Sequence, residues 1–161
     1  MNDPEPIPVV QDTREKRPLL FPATLDYRGR IHPVHIVKRT MPEGDYSLDI
    51  PEPAAIVERK GSLDEIRQNL LTTDNARFLR AITRLCDSCD HPILLLEATP
   101  SDLLLPTKDI PRPGPLVQLL CNLCAARGIL LLLPGACHFP TKRRAVGELV
   151  LRLLLAHNPP T

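Results

Sequence analysis

Glu58, Arg59 and Lys60 are three charges in a row at the end of an apolar, β-branched segment, Ala55 to Val57, that follows Pro51 and Pro53. Such a segment reads as a short strand. Side chains alternate along a strand, so Glu58 and Lys60 share one face and Arg59 takes the other. A carboxylate beside an ammonium at a strand end suits phosphodiester hydrolysis: the acid holds a divalent cation, and the lysine orients water and offsets charge on phosphorus. A solvated strand edge produces the same pair, so Glu-x-Lys alone decides little. Further acids sit at or beside other strand ends, Asp12 with Glu15, and Asp45. Magnesium prefers oxygen ligands, retains waters and is commonly held by one or two carboxylates plus a substrate phosphate. Asp45 and Glu58, on strands read as neighbours, are the candidate pair.

Several elements must position these groups. Ile7 to Gln11 reads as a first strand ending at Asp12, and Ala23 to Tyr27 with Val34 to Lys38 reads as an antiparallel pair across a short polar loop. Gly44 turns the chain into a strand over Asp45 to Leu48. From Ser62 the period becomes helical, with Ser62 and Glu65 spaced as a capping box. Leu63, Ile66, Leu70 and Leu71 mark one helix; Phe78, Ile82, Leu85 and Cys89 mark the next, with Arg77, Arg80 and Arg84 on its other side. That basic side is either a solvated surface or a phosphate-facing one. Pro92 to Glu97 and Ile129 to Leu133 read as interior strands, because continuous apolar runs suit strands covered on both faces. Between them a helix around Leu116 to Cys124 is apolar over much of its girth and is expected to be buried. The last helix is expected to turn Val146, Leu149, Val150, Leu153 and Leu154 inward, with Glu148 and Arg152 outside. Strand-helix-strand-helix order implies parallel pairing with right-handed crossovers in this half, hence an α/β fold.

With 161 residues the chain is expected to form one domain, 1–161, with an ordered core over about 7–157. The 19 prolines fall between apolar runs and so punctuate the fold. No apolar run approaches a membrane span, and the acidic, proline-bearing start has no signal-peptide pattern, so a cytoplasmic, reducing location is the expectation. The net charge of +1 requires any nucleic-acid binding to come from local basic clusters. Aromatics at 3% with no Trp disfavour a base-stacking platform for single strands.

The order Asp45…Glu58-x-Lys60 resembles the PD-(D/E)xK metal-dependent nucleases. The stretches Val9 to Glu15, Gly44-Asp45-Tyr46, and Glu58-Arg59-Lys60 with Asp64 look like the motifs of the XPF-type structure-specific endonuclease domain. Ala76-Arg77-Phe78 followed by Arg84-Leu85 looks like that family's next helix, where a Gly-Arg pair is usual. The resemblance runs from about Ile7 to Glu97 and more loosely beyond. It implies a restriction-endonuclease-like three-layer fold, a central mixed β-sheet flanked by α-helices, in a bacterial or phage-like chain without helix-hairpin-helix or helicase modules. The implied activity is Mg2+-dependent (or Mn2+-dependent) cleavage of branched or structured DNA in repair or recombination, with a homodimer compatible.

Position by position, the resemblance implies Asp45 and Glu58 as metal ligands, with the Arg59 carbonyl as a third candidate. Lys60 would position the attacking water, Asp12 would assist the metal directly or through water, and Asp64 would support the site from the following helix. Arg14, Arg59 and Arg77 would steady the site or grip phosphates, since a fixed guanidinium suits phosphate better than a flexible amine. For Arg59, a structural ion pair with Glu15 or Asp64 is an equal candidate. The alternative of another class is an inactive DNA-binding or scaffolding unit of the same fold; such halves typically lose the acids and lysine that are present here.

Cys86-x-x-Cys89 and Cys121-x-x-Cys124 have zinc-knuckle spacing, but all four fall on or beside apolar helix stripes, where Cys is a small buried residue by habit. Zinc is therefore not expected. Cys137-His138 lacks a sequence basis for triad geometry, and Lys142-Arg143-Arg144 opens the last helix against its dipole.

Overall fold

A computed structural model describes residues 4–158. The chain runs β1 (Ile7–Asp12), β2 (Thr24–Tyr27), β3 (Arg30–Arg39), β4 (Tyr46–Leu48), β5 (Ala55–Lys60), α1 (Leu63–Leu71), α2 (Asn75–Ser88), β6 (His91–Leu96), α3 (Pro100–Leu104), α4 (Pro113–Arg127), β7 (Leu130–Leu132) and α5 (Pro140–His157). This is the α/β class expected, a mixed seven-stranded sheet flanked by helices. No helix among the described residues is long and apolar enough to cross a membrane. Two compact units divide the chain within β5: residues up to Ile56 join those from Cys137 onward, and Val57–Ala136 form the other.

In the first unit the strands lie in the order β2-β3-β1-β4. β1 is parallel to β3, from Ile7 opposite Val34 to Asp12 opposite Arg39, and antiparallel to β4. Both of its faces are covered, which is why Val9, Val10 and Gln11 are all buried with no polar alternation. The β2–β3 hairpin closes on Arg28 and Gly29, both left-handed at φ 53° and 73°, the backbone twist a two-residue hairpin needs. Tyr46 is fully buried, takes the Leu19 N–H on its hydroxyl at 2.9 Å and meets Phe21 edge-on at 5.6 Å.

Helix α5 covers this unit through Gly147, which lies so close to the Leu20 carbonyl that a Cβ would come within 2.2 Å of that oxygen. Val146, Val150, Leu151, Leu154 and Leu155 are buried around this approach. The inward stripe therefore differs from the sequence expectation: Leu149 is 44% exposed. It lies about 200° around the helix from Gly147, so the backbone-to-backbone approach turns it to solvent. A methyl group at Gly147 has no room against a backbone carbonyl. Gly147→Ala is expected to cost about 1–3 kcal/mol, read as a lower thermal midpoint. An unchanged midpoint would contradict the close approach.

In the second unit β6 is buried from Pro92 to Leu96 and pairs in parallel with β7. The end of β5 joins β6 where the Glu97 N–H donates to the Lys60 carbonyl at 2.9 Å. Helix α4 packs on α1 and α3, burying Leu116, Leu120 and Cys124. It is not buried all round as expected, because Leu119 on another side is 44% exposed. β7 is likewise not an interior strand. It ends the strand order, spans three residues, and leaves Leu130 45% exposed. Helix α3 was not anticipated, although Thr99 and Asp102 cap each other reciprocally and Pro100 opens the first turn.

Candidate active-site residues

β5 begins fully buried and ends half-buried, so its three terminal charges stand at the margin of the core. Lys60 Nζ lies 2.8 Å from Glu58 Oε1 and 3.3 Å from Glu65 Oε1, and 5.7 Å from the centre of the buried Phe78 ring. Burial alone would push the Lys60 ammonium down, but Glu58 and then Glu65 outweigh it and hold the group above the usual lysine value. Lys60 is thus a fixed cation and not a proton acceptor at neutral pH.

Arg59 points the other way, as strand alternation requires, and its Nε donates to Glu97 Oε1 at 2.6 Å, with Nη2 paired to the same oxygen. Both side chains are nearly inaccessible, at 7% and 6%. Sequence reasoning had not singled out Glu97; the signal available was an acid closing an otherwise apolar strand. Asp64 stands in the first turn of α1, mostly exposed and 3.7 Å from Arg67. Arg77 is exposed on α2, as are Arg80 and Arg84. The second unit therefore brings Glu58, Lys60 and Glu65 together on one side of β5 and sets Arg59 with Glu97 on the other.

In the first unit Asp12 ends β1 with its carboxylate buried and saturated. Oδ1 accepts from the Arg14 backbone N–H at 2.7 Å and from Arg14 Nε at 2.9 Å; Oδ2 accepts from Arg14 Nη2 at 2.7 Å and from the Met41 N–H at 2.8 Å. Arg14 Nη2 also donates to the Met41 carbonyl at 2.8 Å. Asp45 is half-buried after Gly44, whose φ of 74° sets the turn, and its carbonyl accepts the Asp12 N–H at 2.9 Å. Asp12 thus ties together the end of β1, Arg14 and the Met41 loop, and the same backbone bond fixes Asp45.

The Arg14 side chain holds the Asp12 carboxyl well down, against the opposing effect of burial; with the Arg14 and Met41 N–H groups its pKa falls from 3.8 to about 2. A folded value below the unfolded one adds stability above the unfolded pKa, and that contribution is lost as pH falls through the folded pKa. Acid unfolding of the chain is therefore expected to steepen between the two values, 3.8 and about 2. Asp12→Asn should remove this component, seen by circular dichroism as a flatter acid limb.

Among the described residues no group of three or more His, Cys, Asp or Glu side chains could hold a metal ion. A magnesium site built on two carboxylates, waters and substrate phosphate does not need three. The Cys124 thiol is pushed up to about 11 by burial and by neighbouring Cys121 and Cys86.

Comparison with known proteins places these observations in a family. The model of the ERCC4 domain matches residues 11–129. Among solved structures, XPF from Aeropyrum pernix matches with TM-score 0.63 at 22% identity, over 96% of this chain and 62% of that one. XPF from Aeropyrum pernix in complex with DNA matches with TM-score 0.60 at 22% identity, over 95% of this chain and 66% of that one. The chain thus spans somewhat under two thirds of the length of each. No curated protein matches the sequence.

Proposed function

Because the chain belongs to the ERCC4 domain family, we propose that it is a metal-dependent DNA endonuclease acting on branched or otherwise structured DNA in repair or recombination. The observation that carries this reading is Lys60, a cation held at the rim of the core by two carboxylates and an aromatic ring. Maintaining a partly desolvated ammonium at a strand end is costly for stability and useful where negative charge develops.

Glu58 and Asp45 would hold Mg2+ or Mn2+, with the Arg59 carbonyl as a further oxygen donor. Both carboxylates are hard oxygen donors, and Lys60 engages one oxygen of Glu58, whose side chain is 23% exposed. A divalent cation there would supply Lewis acidity toward a phosphodiester oxygen. The chain's own groups do the rest. Lys60 would position the attacking water and stabilise charge as the phosphorus is attacked. Asp12 would assist by locking Arg14, whose side chain is 65% exposed, in a fixed orientation toward phosphate. Arg77 would add a phosphate contact from α2, Asp64 would support the site from α1, and Arg59 would brace β5 through Glu97. The complex of XPF from Aeropyrum pernix with DNA supports DNA as the substrate class. The exposed leucines Leu119 and Leu130 are compatible with a homodimer.

The test is cleavage of a panel of flaps, forks, nicked and plain duplexes with Mg2+ or Mn2+, against EDTA. Cutting of branched substrates that EDTA stops, and that Asp45→Ala abolishes in a folded protein, supports the reading. Binding without cutting under both metals would favour a scaffolding role.

A further inference from the structure

We propose that Glu65 is a positioning residue for the Lys60 ammonium. The proposal rests on the nuclease reading for its purpose, but its geometry stands by itself. Ser62 and Glu65 have the spacing of a capping box, and half of that box is formed: Ser62 Oγ accepts the Glu65 N–H at 3.2 Å. The other half is redirected. Glu65 Oε2 accepts from the Gly61 N–H at 3.0 Å, one residue before the cap, and this leaves Oε1 3.3 Å from Lys60 Nζ. One carboxylate therefore closes the β5–α1 junction with one oxygen and holds the lysine with the other.

Lysine needs such an anchor. Its ammonium ends a flexible four-carbon stem with many rotamers to restrain. Glu58 is the closer partner, at 2.8 Å, but Glu58 is also the carboxylate proposed to hold the cation. A carboxylate shared with a divalent cation attracts a neighbouring ammonium less. Glu65 is bound to the backbone of the same turn, so it keeps Lys60 aimed while Glu58 is engaged elsewhere. Phe78, 5.7 Å away, limits the remaining directions.

Two variants separate this role from helix capping. Glu65→Gln keeps an oxygen for the Gly61 N–H and removes the charge facing Lys60; Ser62→Ala removes the cap and leaves that charge. Side-chain NMR relaxation of the protein with saturating Mg2+, where Glu58 is engaged by the cation, reads the mobility of the Lys60 ε-methylene directly. In Glu65→Gln its order parameter is expected to fall by about a third or more, into the flexible range. With DNA and Mg2+, kcat is expected to drop roughly 10- to 100-fold in the same variant, as for a misaligned catalytic group, with KM little changed. Ser62→Ala is expected to lower the thermal midpoint and leave both the lysine order parameter and kcat in place. An unchanged Lys60 order parameter in Glu65→Gln, or the same response in both variants, overturns the positioning role whatever the chain does to DNA. Wild-type protein that leaves DNA intact with either metal overturns the nuclease reading instead, and the relaxation result still reports whether Glu65 orders the lysine.

Discussion

If the chain is the proposed nuclease, Lys60→Met lowers its metal-supported DNA cleavage by about 100- to 1,000-fold, the usual cost of deleting one preorganised charge-stabilising group. Methionine keeps an unbranched stem of similar length against the Phe78 ring, so the packing around α2 is retained while the charge is lost. Lys60→Arg is not expected to rescue the rate. A planar guanidinium presents a fixed fork, and a pocket formed by Glu58 and Glu65 around a compact ammonium does not match it. Single-turnover kinetics at saturating Mg2+ give the measurement, because they isolate the cleavage step from product release. The thermal midpoint of Lys60→Met should stay near the wild-type value, since Glu58 and Glu65 are both accessible enough to be rehydrated. Retention of full single-turnover activity would show that the ammonium has no part in the reaction.

Glu97→Ala has the largest expected effect on stability, a loss of about 3–5 kcal/mol, because it removes the carboxylate facing a buried guanidinium. Arg59 remains ionised at any accessible pH and is 7% exposed, so it has neither neutralisation nor water as an escape. For a domain of this size the thermal midpoint should fall on the order of 10 °C. The pair itself contributes much less than this figure suggests. Replacing both residues with apolar groups of similar shape, as in Arg59→Met with Glu97→Leu, should recover most of the loss. A double-mutant cycle by urea or thermal unfolding measures the coupling. If Glu97→Ala alone is neutral, Arg59 is not held in the way described.

What the sequence made legible was local. Alternation and apolar runs located the strands, and Ser62 and the leucine spacing marked the helices, because these signals are set by neighbours within a few residues. The placement of Glu58 and Lys60 on one face followed from strand geometry alone. Tertiary choices were not legible. Nothing nearby in sequence marks Glu97 as the partner of Arg59, since that pairing depends on β6 lying beside β5. Glu65 was legible as a cap, but the division of its two oxygens between Gly61 and Lys60 depends on how β5 meets α1. Leu149 was misplaced because a hydrophobic stripe leaves the helix free to rotate by a residue, and only the Gly147 approach to Leu20 fixes it. β7 and α4 were expected deeper than they lie because apolar content reports what a residue tolerates, not whether another element covers it.

The first unit draws its strands from residues before Val57 and its helix α5 from residues after Ala136. During synthesis the nascent strands therefore leave the ribosome long before the helix that seals them. The stretch Val57–Ala136 is continuous and is translated in full before α5. Until translation reaches His157, Tyr46 and its neighbours on β4 lack their cover, which makes that interval the period in which a chaperone would find the most to hold.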